Sequence, residues 1–156
     1  MAAIAIRPAR ADEAPVVLEM LRATSVEQGN EHELCVDLKA VREDGFGSAP
    51  RFHVLIAECD ARPAGLALYF FNYSTWISRN GLYLEDLYVR PEFRRQGVAR
   101  ALMRRLEAIA NEQGCGRLQW VVLRNNTAAV KLYESLGAHA LPEWQLMILR
   151  TSIQSP

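Results

Sequence analysis

The feature that most constrains the fold is an apolar strand that runs through a short arginine-rich turn into an amphipathic helix. Residues 82–89 are nearly all apolar and are followed by Pro91, as expected for a buried strand. A regular apolar stripe predicts a helix from Gly97 to about Gln113, ended by Gly114. The first amide groups of such a helix lack backbone partners, so this turn is suited to bind an anion.

Turn residues and apolar periodicity divide the rest of the chain into further strands and helices within one domain, residues 1–156. Strands are predicted at 3–7, 52–58, 64–73, 117–123 and 144–149, and helices at 12–28, 37–44 and 127–136. This order of elements predicts an α/β or α+β protein with a mixed sheet and helices on both faces.

The composition is that of a globular protein with two oppositely charged segments. The net charge is zero and half of the residues are apolar. Residues 12–44 carry nine acidic and three basic side chains, whereas residues 90–105 carry six arginines and one glutamate. Two solvated helix faces would also explain this pattern. Because there is no basic excess and no apolar run near the roughly 18 residues of a membrane span, we expect neither a nucleic-acid partner nor a membrane partner.

Cysteine and histidine spacing indicates neither a disulfide framework nor a metal site. Cys35, Cys59 and Cys115 form no CxxC pair. Scattered thiols, together with the lack of a visible secretory segment, favour a reducing, cytoplasmic location. The three histidines show no metal-ligand spacing, so we expect no metal.

Two motifs resemble those of a known enzyme family. Residues 94–99 (RRQGVA), called the phosphate turn below, are similar to the R-x-x-G-x-G/A signature of the GNAT superfamily of N-acetyltransferases. Residues 126–133 (NTAAVKLY), followed by Gly137, resemble the second motif of that family. The resemblance implies a mostly antiparallel sheet of six to seven strands, with acetyl-CoA as co-substrate. For the turn taken alone, an ordinary loop with surface arginines is the alternative.

A closer match is to the diamine acetyltransferase branch, which includes spermidine/spermine and thialysine acetyltransferases. Residues 43–47 (EDGFG), 69–76 (YFFNYSTW) and 82–87 (LYLEDL) resemble that branch. Ser74 departs from it, because polyamine enzymes commonly have an aspartate there that helps to hold a distal ammonium. The resemblance implies acetyl transfer, by direct attack, to the primary amine of a small cationic acceptor: a diamine, polyamine or lysine-like amine.

The resemblance also implies how the cofactor is held. Leu87, Tyr88 and Val89 would offer backbone groups to the amide-bearing arm of acetyl-CoA, in a gap between this strand and the next. The phosphate turn, the residue after it and the second motif would supply the other contacts, from Arg94, Arg95, Gln96, Gly97, Val98, Ala99, Arg100 and Asn126.

Glu85 and Tyr133 are the candidates for proton transfer. An alkyl amine has a pKa of about 10.4 and must lose a proton before it attacks a thioester. Glu85 interrupts an apolar strand and is the candidate for recognising and deprotonating the amine, with a structural ion pair as the alternative. Asp86 is expected to point to the opposite face and to bond backbone or an arginine. The resemblance implies that Tyr133 protonates the departing thiolate, whereas a packed aromatic is the default for a lone tyrosine on a helix.

Further candidates for the amine pocket combine aromatic faces with carboxylates, a combination that suits a cationic amine. They are Glu27, Trp76, Glu143 and Trp144. The two tryptophans are more readily explained as core or dimer residues.

Three alternatives remain open for the function. In the first, the enzyme acts on another acceptor: an antibiotic amine, an amino acid or a protein N-terminus. In the second, the chain is a non-catalytic acyl-CoA-binding domain. In the third, it is a partner-binding module that pairs through residues 144–149. The presence of both Glu85 and Tyr133 favours catalysis over binding alone. Related enzymes are usually dimers, so the resemblance implies a homodimer.

Overall fold

Five strands in chain order form the centre of residues 3–121, the first unit of a computed structural model that describes residues 3–151. They are β1 (Ile4–Pro8), β2 (His53–Cys59), β3 (Arg62–Ser74), β4 (Arg79–Val89) and β5 (Arg117–Gln119). β1 to β4 pair antiparallel, and β5 pairs parallel to β4. The predicted mixed, mostly antiparallel sheet is confirmed, although residues 3–151 form five strands instead of six or seven.

Helices cover both faces of this sheet, as predicted. α1 (Ala14–Gln28) and α2 (Leu38–Phe46) share one apolar core with side chains of β2, β3 and β4. α3 (Val98–Glu112) contacts all five strands through a buried stripe, and Leu55 and Ala67, which alternate with the first core, are buried as well. Since side chains alternate across a strand, the second set packs on the other face, beneath α3.

The helix ends follow from local sequence. α1 begins with a proline in its first turn, where the missing N–H is not needed, and ends at Gly29 in the left-handed conformation (φ 69°). The Asp37 carboxylate accepts a hydrogen bond from Ala40 N at 2.7 Å and so caps α2. No helix within residues 3–151 is both long enough and apolar enough to cross a membrane.

The second unit, residues 122–151, contains helix α4 (Thr127–Ser135). The Asn126 side chain caps it by accepting from Ala129 N at 3.3 Å, and Gly137 follows its end with φ 94°. The predicted strand at 144–149 was wrong: these residues are irregular and largely exposed. Strand propensity favours extended backbone, but a strand also needs a hydrogen-bonded neighbour, and within residues 3–151 no strand pairs with this segment.

Candidate active site

The phosphate turn joins β4 to α3 through two residues with left-handed backbone. A short 3₁₀ turn, Pro91–Phe93, leads into it. Arg95 has φ 62° and Gly97 has φ 90°, and α3 begins at the next residue. A Cβ at Gly97 would meet nothing closer than Ile4 Cδ1 at 3.9 Å, so glycine is needed here for its backbone freedom and not for space.

The start of α3 presents backbone N–H groups together with positive charge. The first intrahelical hydrogen bond runs from Ala101 N to Gly97 O at 2.9 Å, so the amides of Val98 and Ala99 precede it. The side chains of Arg95 and Arg100 are exposed beside them. Amide donors, the helix dipole and two arginines are features that suit a phosphate or diphosphate.

Arg94 contacts both β4 and α1. Its Nε donates to Val89 O at 2.8 Å, and its guanidinium forms an ion pair with Glu27 of α1. It also lies 5.8 Å from the centre of the Tyr88 ring. The structure therefore brings together two predicted site residues, Glu27 and Arg94, that were assigned to different ligands.

β4 contains a β-bulge at the position of the predicted catalytic carboxylate. Leu68 of β3 lies opposite Asp86, but Tyr69 lies opposite Leu84, so Glu85 is the extra residue. On its other side β4 pairs with β5 only over residues 81–83. Among the described residues, strand pairing on that side ends at Tyr83, before the bulge. Leu87, Tyr88 and Val89, which come after the bulge, therefore have no paired strand on that side within this part of the chain. Of the predicted strand 117–123, only Arg117–Gln119 is observed as a strand, and these are the residues that pair with β4.

The bulge changes the relation between Glu85 and Asp86. Regular alternation would place them on opposite faces, but the extra residue interrupts that alternation. Burial, and then the negative charge of Glu85, raise the pKa of Asp86 to about 6. No arginine or backbone N–H within residues 3–151 bonds the Asp86 carboxylate, so the expected partner for Asp86 was wrong. Glu85 itself is exposed and forms no ion pair in the described part of the chain.

Aromatic side chains lie next to this carboxylate pair. Phe70 and Tyr83 are opposite each other in the β3–β4 register and stack at 5.1 Å between ring centroids. Burial, and then the charge of Glu85, raise the pKa of the Tyr83 phenol. Trp76, in the turn between β3 and β4, is 92% exposed and so is not a core residue of the described structure.

The remaining candidates lie in residues 122–151 and are described within that unit. Asn126 uses its side-chain oxygen to cap α4. Tyr133 is half-buried on α4, and burial raises the pKa of its phenol, which keeps the proton in place at neutral pH. Glu143 and Trp144 are exposed in the segment after the helix.

Sequence comparisons assign the chain to a family. A model of the acetyltransferase (GNAT) family matches residues 17–138, which include the phosphate turn and the second motif. The chain belongs to this family. This acetyltransferase is 38% identical over 151 residues to the thialysine N-epsilon-acetyltransferase of Sus scrofa, a match that covers 92% of this chain and 88% of that protein.

Two further similarities are to a curated protein and to a solved structure. The acetyltransferase is 31% identical to spermidine/spermine N(1)-acetyltransferase-like protein 1 of Homo sapiens, over 85% of this chain and 20% of that protein. The solved structure of an aminoglycoside N-acetyltransferase in complex with CoA matches with a TM-score of 0.73, covering 97% of each chain at 18% identity. That second likeness shows the fold alone.

The residues present fit acetyl-CoA, the co-substrate that the family implies. The amides at the start of α3 suit a diphosphate, and the edge of β4 beyond the bulge suits an extended amide-bearing arm. Residues 3–151 contain no cluster of three or more histidine, cysteine, aspartate or glutamate side chains arranged for a metal ion. The sequence analysis missed the environment of Asp86, because no local pattern in residues 82–89 predicts the bulge.

Proposed function

We propose that this chain transfers the acetyl group of acetyl-CoA to the primary amine of a small cationic acceptor. One observation carries the proposal: β4 holds two neighbouring carboxyl groups at its bulge and is followed, after one short 3₁₀ turn, by the phosphate turn. A carboxylate pair suits an ammonium, and the turn suits the diphosphate of the acetyl donor. The thialysine acetyltransferase similar to this chain acts on a lysine-like amine by its name, which supports the same class of acceptor.

The proposed roles follow from charge and protonation. Bound acetyl-CoA supplies the acetyl group as a thioester. Glu85 binds the ammonium of the acceptor and accepts its proton, directly or through a water. Asp86, beside it, adds a second negative charge that holds the amine close. Tyr133 keeps its proton at neutral pH and donates it to the departing sulfur.

We propose that the preferred acceptor is lysine-like and that polyamines are poorer substrates. Ser74 is only 6% exposed and carries no charge where polyamine enzymes commonly have an aspartate. In the β3–β4 register it lies opposite Arg79. A second ammonium near this end of the hairpin would therefore meet a positive charge and no compensating carboxylate.

The test is to incubate the protein with acetyl-CoA and separate amines, and to follow the free thiol that transfer releases. The amines are a lysine-like thioether, a diamine, spermidine and an aminoglycoside. We expect the thioether to give the highest kcat/KM, by about tenfold over spermidine, the size of one lost charge contact. A preference for the aminoglycoside would move the acceptor class to antibiotic amines, and no thiol release with any amine would favour an acyl-CoA-binding domain.

We also propose that the protein acts as a homodimer in the cytoplasm. Exposed Trp76 and the exposed apolar residues 146–149 are surfaces that a second copy would cover. Cys35, Cys59 and Cys115 are free thiols, which supports a reducing compartment. Mass measurement in solution tests the dimer, and a monomer at working concentration would contradict it. Microscopy of the tagged full-length protein tests the location.

A further inference from the structure

We infer that Arg94 is a positioning residue that fixes the phosphate turn to the end of α1 through Glu27, instead of ligating the diphosphate with its own guanidinium. The inference rests on the proposed binding of acetyl-CoA at this turn. It also moves Glu27 from the amine pocket, where sequence reasoning placed it, to the cofactor side of the site.

The contacts described for Arg94 lie on β4, which precedes the phosphate turn, and on α1. Its Nε donates to the Val89 carbonyl at 2.8 Å, and a terminal nitrogen pairs with the Glu27 carboxylate. Its guanidinium also lies over the buried Tyr88 ring. A planar guanidinium held at two nitrogens and one face has a fixed orientation, so Arg94 joins three elements of the fold.

Glu27 is placed where a carboxylate needs a partner. It lies in the last turn of α1, at the negative end of the helix dipole, where an acidic side chain is unfavourable. The ion pair with Arg94 offsets this. A carboxylate that already has a guanidinium partner is a poor ligand for the ammonium of a substrate, so Glu27 is better explained by its partner than by the amine.

The position of this pair connects it to both parts of the cofactor site. Val89 ends β4, the strand whose edge is proposed to bind the amide arm of acetyl-CoA, and Arg94 begins the phosphate turn. One side chain thus sets the spacing between the strand end and the amides of α3. Loosening the pair should change acetyl-CoA binding while leaving the carboxyl groups at the bulge in place.

The deciding variant is Glu27→Gln, because the two possible roles of Arg94 predict opposite changes in the Kd for acetyl-CoA. If Arg94 positions the turn, loss of the pair weakens binding, and we expect the Kd for acetyl-CoA to rise about threefold, as for a half-exposed ion pair. If Arg94 is a diphosphate ligand held back by Glu27, the variant frees it and Kd falls. A fall, or a rise in KM for the amine with an unchanged Kd for acetyl-CoA, overturns the inference.

A matched control exists on the same helix. Glu19 of α1 pairs with Arg90 at 2.9 Å, so it links the same two parts of the chain, but Arg90 lies outside the phosphate turn. Glu19→Gln removes the same charge from α1 and should leave the Kd for acetyl-CoA unchanged. An equal rise in both variants would show a general effect of α1 on stability and would overturn the inference.

A second variant separates geometry from charge. Arg94→Lys keeps the positive charge, but an ammonium cannot span the Val89 carbonyl and the Glu27 carboxylate as a guanidinium does. We expect its Kd to rise as in Glu27→Gln, and the double variant to be no worse than either alone, as for two residues that act as one unit. Near-wild-type binding by Arg94→Lys would contradict positioning.

Calorimetry of acetyl-CoA binding keeps this test separate from the proposed acceptor chemistry. A wild-type protein that binds acetyl-CoA but acetylates no amine would remove the proposed function, and the Kd of Glu27→Gln would still decide the role of Arg94. An active wild-type enzyme whose Glu27→Gln variant binds acetyl-CoA as tightly would remove the inference alone.

Discussion

Two groups of carboxylates in the first unit lie in opposite electrostatic environments. At the corner of β1 and α1, Glu13 is 8% exposed and bonds Arg7 at 2.7 and 2.8 Å, and Arg7 also bonds Glu58 at 2.5 Å. At the bulge of β4, half-buried Asp86 lies beside another acid. Hydrogen bonds from Arg7 lower the pKa of Glu13 to about 2, whereas burial raises the pKa of Asp86 to about 6.

At neutral pH, ionised Glu13 therefore stabilises the folded protein, whereas ionised Asp86 destabilises it. A buried carboxylate with an arginine partner is favoured in its charged form, and the protein gains stability from it at neutral pH. A buried carboxylate beside a like charge is unfavourable there, and such an arrangement is typical of sites where the charge serves a ligand or a reaction. We therefore expect substitutions at the two places to move stability and activity in different directions.

The largest expected effect is on activity, from Glu85→Gln. The amide keeps the size of the side chain but cannot accept the amine proton, so kcat/KM should fall by about 100-fold or more. The Kd for acetyl-CoA should not change, because the phosphate turn and the edge of β4 are untouched. Glu107→Gln, an exposed change on α3, is the control for the loss of charge. A larger loss in Asp86→Asn than in Glu85→Gln would assign the proton to Asp86 instead.

The contrast also shows which parts of the site can be predicted from the sequence alone. The turn between β4 and α3 depends on backbone geometry that Gly97 specifies locally, so the strand, turn and helix could be predicted from the sequence, and phosphate binding there stays a prediction. The bulge at Glu85 depends on how β3 and β4 align over many residues, and regular alternation therefore misplaced Asp86. The acidic and basic segments were both visible, but the pairing of Glu27 with Arg94 joins residues 67 positions apart. Such contacts are set by the packing of α1 and not by local pattern.

The second prediction is for stability at the β1 corner. Glu13→Gln should lower the free energy of unfolding by about 2–3 kcal/mol at pH 7, because Arg7 loses its main partner. The contribution of a carboxylate with a lowered pKa is present above its unfolded pKa of about 4.5 and is lost as pH falls through 2. Urea unfolding of both proteins at several pH values should show the difference shrinking below about pH 4.5. A constant difference at all pH values would mean that packing, not charge, explains it.

The third prediction concerns Asp86, whose replacement should raise the free energy of unfolding instead of lowering it. Above pH 6 the ionised Asp86 opposes folding, and this effect disappears as pH falls toward its unfolded pKa of about 3.8. Asp86→Asn should therefore raise the free energy of unfolding at pH 8 by about 1–2 kcal/mol, with little change near pH 4. Its activity should fall, and the decline of kcat/KM that we expect near pH 6 in the wild type, as Asp86 takes up a proton, should be absent from the variant at that pH. Destabilisation at pH 8 would show that Asp86 has a favourable partner after all.

The smallest expected effect concerns two glycines with left-handed backbone, one at each end of α3. Gly97 precedes the helix with φ 90° and Gly114 follows it with φ 66°, and neither position is crowded by neighbouring atoms. Alanine at either one should cost about 1 kcal/mol of folding free energy, since left-handed backbone disfavours a Cβ. Only Gly97→Ala should also raise the KM for acetyl-CoA, by about threefold to tenfold, because that strain shifts the amides that bind the diphosphate. Equal KM values in Gly97→Ala and Gly114→Ala, at matched losses of stability, would mean that the diphosphate binds elsewhere.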